Sequence, residues 1–419
     1  MPWRFSFCAG MQAIFDNAGK IGYNKFDFFE HGGDIMAERQ RSYWVHHMIR
    51  GLICKPFEWF FGYTHDNFKL DEPTLVICNH VTNFDAILVP LCYPGYHMHL
   101  VASEHMFRKG LVSWFLRTVC DPISRRKGVS GADTAMACLR KLRAGKSVLI
   151  FAEGETSWDG RSQDIVASTG RLAQMSGARL LTFRLEGGYL SAPRWGKGIR
   201  RGRIHGRVVN TYSPQELKAM GKDAVTERIR RDIYEDAWQR QEEDPVPYRG
   251  NRRAEKMEAV LFLCPKCGGI GTLKSHRNTL RCTCGLHTEV TPFGTFADEK
   301  PFKHLAQWDA WQRQKWENML SLSDLPAFSD ENIALYQIQE EHGQQLLCTG
   351  KLTLERGELV IGDERIPLES ITGMSLVMGN AMVLYADNRY LELRAKEKMC
   401  MRKYLLAWQH ATREVVLPQ

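Results

Sequence analysis

Two histidine–aspartate pairs with identical spacing are the first candidates for chemistry in this sequence of 419 residues. His80 and Asp85 lie in the segment LVICNHVTNFDAIL, and His304 and Asp309 lie in KHLAQWDAW. A neutral imidazole can take a proton from a hydroxyl, and a carboxylate on its other nitrogen fixes the tautomer and stabilises the imidazolium. Because both pairs share the same spacing, spacing alone does not identify a catalytic pair.

The sequence around His80 distinguishes the first pair. An apolar strand is predicted at Leu75–Cys78, and the following TNFDAILVP indicates a helix with Thr82 or Asn83 as its N-terminal cap. Asp85 then lies in the first helical turn, where the chain can fold back and bring the carboxylate to the imidazole. We therefore predict that His80 is a general base and that Asp85 orients it.

The second pair lies in a different context. The segment PFKHLAQWDAWQRQKWENML is predicted to be one helix, in which residues five positions apart point about 140° away from each other. His304 and Asp309 are therefore not expected to meet, and His304 is predicted to be a surface or packing residue.

Four clustered cysteines form the clearest metal-ligand pattern. A tetrahedral zinc takes four thiolate or imidazole ligands, and two tight turns that each carry two cysteines supply them. The second turn has the spacing C-x-C, tighter than the usual C-x2-C, so a histidine can replace one thiolate. We expect a structural zinc ribbon. Its candidate ligands are Cys264, Cys267, Cys282 and Cys284, with His287 and His276 as the alternatives.

Composition and charge limit the possible function classes. The chain has 44% hydrophobic and 25% charged residues, which is typical of globular proteins, and its length predicts two or three domains. The net charge of +8 suits anionic partners such as membrane phosphates, an acidic carrier protein or nucleic acid. A solvated basic surface without a partner explains the charge equally well.

The sequence predicts a cytoplasmic protein. Eight of the twelve cysteines are scattered outside the cluster, which indicates reduced thiols. The start MPWRFSFCAGMQ lacks the features of a signal peptide, and no apolar run reaches the roughly 18–20 residues of a membrane-spanning helix. Segment 42–63 is instead predicted to be amphipathic and to lie on a membrane interface or on the protein's own core.

Strand and helix patterns predict an α/β domain with a central mixed sheet flanked by helices. Residues 239–253, QRQEEDPVPYRGNRR, are rich in prolines and charges and are predicted to be a linker. From about residue 325, alternating apolar residues and turns predict a β-rich, barrel-like domain closed by a helix that includes residues 401–408. This last part resembles the small barrels of the pleckstrin-homology or GRAM type.

Four blocks of the first half, in order, resemble the lysophospholipid (PlsC-like) acyltransferases. The blocks are NHVTNFD (79–85), PISRRKG (122–128), FAEGETSWDG (151–160) and LLTFRLEGGY (180–189). Order and spacing both fit, and the resemblance covers roughly residues 42–240. Four blocks in register are far more specific than one histidine–aspartate pair.

The resemblance implies transfer of an acyl chain from acyl-CoA or an acyl carrier protein to the hydroxyl of a lysophospholipid such as 1-acylglycerol-3-phosphate. It implies a peripheral enzyme on the inner face of the membrane, with the anionic membrane surface as a further partner. By this resemblance, Glu153 would orient the acceptor, and Gly154 would allow close approach of the backbone. The implied substrate-binding residues are Asn79, Arg125, Arg126, Glu153 and Gly154, with the arginines on the acceptor phosphate.

Several positions depart from the family pattern. Ala152 and Thr182 stand where the family has proline, Glu155 replaces a threonine, and Thr156 replaces an arginine. The lost arginine removes one expected phosphate ligand, and Glu155 adds a negative charge nearby. The basic run RWGKGIRRGRIHGR (194–207) either faces anionic lipid or carrier phosphates or is a solvated strand pair.

The patterns divide the chain into four predicted parts. These are an N-terminal extension (1–41), the PlsC-like acyltransferase domain (42–245), the zinc ribbon (246–295), and a helical connector with the PH/GRAM-like domain (296–419). An alternative function is a catalytically drifted lipid-binding or scaffold protein that uses the ribbon and the β-rich tail. Nucleic-acid binding is not expected, because the ribbon has little interleaving of basic and aromatic residues.

Overall fold

The structure, a computed structural model, describes residues 55, 58–93, 98–103, 122–125, 131–321, 328–339, 343–377, 380–397 and 399–416. These residues form three β-sheets, of seven, three and seven strands. The predicted extension 1–41 and the first part of segment 42–63 lie outside the described residues. Across the described ranges, no helix is long and apolar enough to cross a membrane.

Seven strands form the first sheet, and the predicted strand Leu75–Cys78 is part of one of them. The seven strands are β1 (Tyr63–His65), β2 (Thr74–Cys78), β3 (Met98–Ser103), β4 (Ile123–Arg125), β5 (Ser147–Phe151), β6 (Arg179–Glu186) and β7 (Ile204–Tyr212). Their order is β1-β7-β6-β2-β5-β3-β4. Strands β6 and β7 are antiparallel, and every other neighbouring pair is parallel. The prediction of a central mixed sheet is confirmed.

Helices cover this sheet because its central strands are apolar on both faces. Leu75 and Ile77 of β2 belong to one buried cluster, whereas Val76 and Cys78 belong to another, as the alternation of side chains along a strand requires. The helices of this region are α1 (Asp85–Leu91), α2 (Ala132–Arg143), α3 (Thr169–Ser176), α4 (Gly188–Ser191), α5 (Pro214–Ala219), α6 (Lys222–Ile233) and α7 (Ala237–Glu243).

At the carboxyl ends of the parallel strands, the loops that carry the candidate site residues lie side by side. Strands β2 and β5 pair in parallel with Cys78 opposite Phe151, so the loops that follow them leave the sheet side by side. His80 lies in the first of these loops and Glu153 in the second, and Arg125 ends β4 at the same edge. Open α/β sheets bind their ligands at this edge.

The prediction of a linker at residues 239–253 is wrong. Helix α7 occupies the start of this segment, and Tyr248 is buried with its hydroxyl donating to the carbonyl oxygen of Arg203 at 2.8 Å. Arg249 also pairs with Arg201 through two backbone hydrogen bonds. The prolines and charges that suggested a linker instead belong to a segment that packs against the first sheet.

The second sheet is a small antiparallel one with the order β10-β9-β8. Its strands are β8 (Leu273–His276), β9 (Thr279–Cys282) and β10 (His287–Glu289). Helix α8 (Leu305–Leu320) follows and contacts the last helix, α9 (Arg402–Val416).

The third sheet is antiparallel and confirms the predicted run of strands closed by a helix. Its order is β14-β13-β12-β11-β17-β16-β15. Arg389 and Glu364 lie on strands four positions apart in this order and still form an ion pair at 3.1 Å, so the sheet curls strongly. The strands are β11 (Phe328–Ile338), β12 (Gln344–Glu355), β13 (Glu358–Ile361), β14 (Glu364–Pro367), β15 (Ile371–Val377), β16 (Ala381–Ala386) and β17 (Arg389–Ala395).

Candidate active site and metal centre

His80 and Asp85 meet in the loop between β2 and α1. His80 Nδ1 lies 2.7 Å from Asp85 Oδ2, and the same oxygen accepts hydrogen bonds from the backbone N–H groups of Val81 and Thr82 at 2.6 and 2.9 Å. Asp85 is completely buried. Because a carboxylate with these donors is an acceptor, His80 carries its proton on Nδ1 and leaves Nε2 as the acceptor nitrogen.

The predicted helix cap at Thr82 or Asn83 is wrong by one or two residues. The residue that precedes the helix is Phe84, and its side chain makes no capping hydrogen bond. The Thr82 hydroxyl accepts from the N–H of Phe84 at 2.8 Å and donates to Asp85 Oδ1 at 2.9 Å. Thr82 therefore holds the carboxylate that holds His80.

The imidazole of His80 has one covered face and a partner for its second nitrogen. Its ring stacks on Phe151 with 4.5 Å between ring centroids, and 22% of the side chain stays exposed. The hydroxyl oxygen of Thr156 lies 3.1 Å from Nε2. Sequence reasoning missed this contact, and its only signal was that Thr156 departs from the arginine of the family pattern.

Glu153 is buried beside His80. One carboxylate oxygen accepts the backbone N–H of His80 at 3.0 Å, and the other accepts that of Gln163 at 2.7 Å. Burial raises the pKa of Glu153 to about 8, although both N–H donors favour the charged form. These contacts join the two loops of the site; the contact to an acceptor molecule stays a prediction.

Asn79 does not have the surroundings expected of a substrate-binding residue. Its side chain is completely buried. The amide oxygen accepts the N–H of Leu185 at 2.8 Å, and the amide nitrogen donates to the carbonyl of Leu185 at 2.9 Å. Both polar groups are thus used to tie the end of β2 to β6, which gives Asn79 a structural role in place of the predicted substrate contact.

The structure brings Arg125 to the loop of Gly154. Gly154 has φ +72°, and a Cβ added there would lie 3.4 Å from Arg125 Nη1, so glycine leaves room for the guanidinium. Glu155 lies close enough to interact electrostatically with Arg125. Arg126 lies outside the described residues.

Arg194 lies outside the four sequence blocks and contacts the third of them, residues 151–160. Its Nη1 donates to Glu155 Oε2 at 3.1 Å and to the carbonyl oxygen of Thr156 at 2.9 Å. The guanidinium lies 3.9 Å from the ring centroid of Trp158. A guanidinium therefore contacts this loop although the arginine of the family pattern is absent from it.

The basic run 194–207 is not one exposed surface. Arg194 and Arg200 are buried, and Arg200 donates to the carbonyl oxygens of Leu190 and Arg253 at 3.3 and 2.7 Å. The interpretation of the run as a lipid- or carrier-facing surface, or as a solvated one, is therefore wrong for these two arginines. Arg203 remains at the surface.

The four clustered cysteines are arranged as metal ligands. Their sulfur atoms all lie within 4.8 Å of one another, and the Cys264–Cys284 and Cys267–Cys282 sulfur pairs are 3.7 Å apart. A tetrahedron with Zn–S bonds of ~2.3 Å has edges of ~3.8 Å, so the spacing fits a bound metal. Within the described residues this group consists of the four cysteines, and the alternatives His276 and His287 are exposed and outside it.

His304 and Asp309 do not pair. The helix was predicted over residues 301–320, but α8 begins at Leu305, four residues later. His304 directly precedes it, and its buried ring stacks on Trp238 at 4.4 Å between centroids. Asp309 is also buried, and its Oδ1 accepts from Arg402 Nη1 at 2.6 Å. Burial lowers the pKa of His304 to about 4. Of the two alternatives predicted for His304, a surface residue or a packing residue, the structure shows the packing residue.

Comparison with known proteins finds a family model that matches the part of the chain that contains this site. Residues 62–186 match the family model described as Acyltransferase. The chain therefore contains an acyltransferase domain at residues 62–186. The matched residues contain the His80–Asp85 pair, Arg125 and the loop of Glu153.

A solved structure also matches. It is the crystal structure of the 1-acyl-sn-glycerophosphate (LPA) acyltransferase PlsC from Thermotoga maritima. The two chains are 16% identical, with a TM-score of 0.41. The match covers 54% of this chain and 86% of the other chain.

Proposed function

We propose that the protein is a membrane-peripheral O-acyltransferase that transfers an acyl chain from acyl-CoA or an acyl carrier protein to the hydroxyl of a lysophospholipid such as 1-acylglycerol-3-phosphate. The observation that carries this proposal is the His80–Asp85 pair at 2.7 Å, set within the acyltransferase match. We further propose the domain bounds 42–245, 246–295 and 296–419.

His80 is the proposed general base. As the acceptor hydroxyl attacks the thioester carbonyl, Nε2 takes its proton, and buried Asp85 stabilises the imidazolium that forms. Collapse of the tetrahedral intermediate expels the thiolate of the donor, which receives a proton from His80. The N–H bond from His80 to Glu153 and the stacking on Phe151 hold the imidazole in place during both steps.

Arg125 and Arg126 are the proposed ligands of the acceptor phosphate, since a guanidinium binds phosphate through two parallel hydrogen bonds. Because Gly154 has no side chain, the Arg125 guanidinium can lie next to the loop that contains Glu153. Glu155 weakens the attraction for phosphate but is itself paired with Arg194 at 3.1 Å. Arg125 therefore keeps a net positive environment for an anionic headgroup.

An exposed aromatic–basic pair supports peripheral binding on the inner face of a membrane. The indole of Trp59 is 53% exposed, and the Arg201 guanidinium lies 4.7 Å from its ring centroid. Tryptophan and arginine together suit the interface between headgroups and acyl chains. Phe61, two residues away, packs on Phe84 beside the catalytic loop, so this segment connects the proposed membrane surface to the site.

Zinc is the proposed occupant of the cysteine cluster. Four thiolates leave no open coordination position, so the metal would stabilise the ribbon and take no part in acyl transfer. Cys264, Cys267, Cys282 and Cys284 would hold it. Metal analysis of the purified protein, with Cys282→Ser as the comparison, tests this assignment.

Acyl transfer is tested with purified protein, acyl-CoA and acyl carrier protein donors, and a panel of lysophospholipids, with products identified by mass spectrometry. His80→Ala is expected to lower kcat by roughly 10³-fold or more. His304→Ala is the matched control, because it removes the other histidine of the same spacing without touching the site. Full activity in His80→Ala overturns the proposal, and a lack of turnover by the wild type with every acceptor favours the scaffold alternative.

A further inference from the structure

Glu155 of the third block is bound by donors from several parts of the chain. Its Oε1 accepts a hydrogen bond from the hydroxyl of Ser375 at 2.7 Å. Its Oε2 accepts from Arg194 Nη1 at 3.1 Å and from the indole nitrogen of Trp158 at 3.3 Å. Both carboxylate oxygens are therefore bound, and one of the donors comes from the third sheet, 220 positions further along the chain.

Ser375 lies on β15, the strand at one edge of the third sheet. Val377 of the same strand and Val383, opposite Ser375 on β16, have their side chains on the same face of the sheet as Ser375. Both valines are buried in one apolar cluster. The hydrogen bond to Glu155 thus lies beside packed apolar side chains, where water competes poorly for the carboxylate.

Glu155 also lies near Arg125, the proposed ligand of the acceptor phosphate. The Arg125 guanidinium lies beside Gly154, the residue before Glu155. Burial lowers the pKa of Arg125, and the charge of Glu155 acts in the opposite direction. A carboxylate and a phosphate compete for one guanidinium, because each can bind it through two parallel hydrogen bonds. A Glu155 carboxylate that turned towards Arg125 would therefore weaken binding of the acceptor.

We propose that Ser375 is a positioning residue that holds Glu155 away from Arg125 and so keeps this guanidinium open to the acceptor phosphate. The inference rests on the proposed function and assigns a part of the acceptor site to the third sheet. Ser375 holds one carboxylate oxygen and Arg194 holds the other. The carboxylate therefore cannot turn towards Arg125 without breaking a charge-assisted hydrogen bond.

The same contacts explain together the two neighbouring departures from the family pattern in this loop. Thr156 stands where the family has an arginine, and Glu155 adds a negative charge. Arg194 supplies a positive charge through its bonds to Glu155 and to the carbonyl oxygen of Thr156. Because Arg194 is buried, salt screens its ion pair with Glu155 only weakly. The charge of Glu155 is thus balanced by a residue outside the loop, and Arg125 is left for the ligand.

Binding of a short-chain, water-soluble lysophosphatidic acid to the full-length protein, measured by isothermal titration calorimetry, tests the inference. Ser375→Ala is expected to raise Kd by about 5- to 10-fold, because the loss of a charge-assisted hydrogen bond lets Glu155 bind Arg125. Ser375→Thr keeps the hydroxyl and should bind like the wild type. In acyl transfer, Ser375→Ala should raise KM for this acceptor and leave kcat unchanged.

Glu155→Gln provides the decisive comparison, since a neutral amide does not compete with phosphate for Arg125. In this background, Ser375→Ala should leave Kd unchanged. The matched control is Ser370→Ala, which removes a hydroxyl that donates to the carbonyl oxygen of Pro367 at 3.0 Å, away from the site. A monoacylglycerol of the same chain length, which lacks the phosphate, should bind the wild type and the Ser375 variants equally.

The outcomes separate this inference from the proposed function. A wild-type Kd in Ser375→Ala, or the same loss of affinity with and without Glu155→Gln, overturns the role of Ser375; acyl transfer to this acceptor by the wild type then leaves the proposed function standing. If the wild type neither binds nor acylates the phosphate-bearing acceptor, the proposed acceptor is wrong, and the role of Ser375 is wrong with it. Thermal melting of each variant shows whether weaker binding comes from unfolding.

Discussion

The His80–Asp85 and His304–Asp309 pairs have the same residue types and the same spacing, yet only the first forms a hydrogen bond. Five residues along a continuous helix place two side chains on different faces. His80 instead lies in a loop, and Asp85 is the first residue of α1, so the chain can bend between them. His304 directly precedes α8, and Asp309 is already more than one turn into that helix.

The two pairs also differ in what surrounds them. Asp85 is bound by backbone N–H groups and by the imidazole of His80, and part of that imidazole remains exposed. Asp309 is bound by Arg402, while His304 stacks on Trp238 with its Nδ1 lacking a hydrogen-bond partner among the described residues. Burial around His304 disfavours a protonated imidazole there. The same spacing therefore gives a hydrogen-bonded pair, which we propose to be catalytic, in one place and a packing histidine in the other.

Asparagine at the two aspartates is expected to separate these roles most strongly. Asp85→Asn should lower kcat by about 10³- to 10⁴-fold, because an amide favours the wrong tautomer of His80 and does not stabilise the imidazolium. Asp309→Asn should leave kcat of the folded enzyme unchanged. Steady-state acyl transfer at substrate saturation measures both, corrected for the folded fraction. Equal losses in the two variants would contradict the comparison.

The free energy of unfolding should rank the two aspartates in the opposite order, with the larger effect at Asp309. Asp309→Asn and Arg402→Met each break this buried ion pair, and each is expected to lower the free energy of unfolding by ~3–5 kcal/mol. The loss for Arg402→Met should be the smaller one, because Asp309 keeps Arg313 at 3.2 Å. The double variant should lose less than the sum of the two, since it leaves neither charge unpaired. Denaturant unfolding of the four proteins gives the coupling energy. Strict additivity would show that the pair contributes nothing as a pair.

The sequence predicts local features of this molecule well and distant contacts poorly. The strand before His80, the turn to Asp85 and the four cysteines depend on residues close in the chain, and the structure brings each set together. Arg194 contacts the loop of Thr156 from 38 positions further along the chain, and no local pattern indicates that approach. Asn79 was assigned to substrate through the family resemblance, and its contacts to Leu185 of β6, 106 positions away, were not apparent from the local sequence.

Composition was misleading where polar residues are buried. Prolines and charges predicted a linker at residues 239–253, yet Tyr248 anchors that segment to the first sheet. Arg200 was expected at a surface, but its guanidinium satisfies backbone carbonyls in the interior. Buried polar groups are tolerated when they are hydrogen-bonded, and the partners that decide this are known only once the chain has folded.

His304 offers the smallest expected effect, and it depends on pH. An unfolded histidine has a pKa near 6.5, whereas burial lowers that of folded His304 to about 4, so between these values the unfolded chain binds more protons. The free energy of unfolding should therefore fall as the pH drops from 6.5 towards 4, by at most about 3 kcal/mol from this residue. His304→Phe keeps an aromatic ring on Trp238 and removes no side-chain cap, since His304 provides none.

The difference between wild type and His304→Phe isolates this contribution from every other titrating group. The two proteins should differ little in stability at pH 8, and the phenylalanine variant should become relatively more stable as the pH falls to 4. Urea denaturation at a series of pH values measures the difference directly. If the stability difference between the two proteins stayed constant across the series, His304 would titrate alike in the folded and unfolded states. Its environment would then resemble that of a solvated histidine and not that of a buried one.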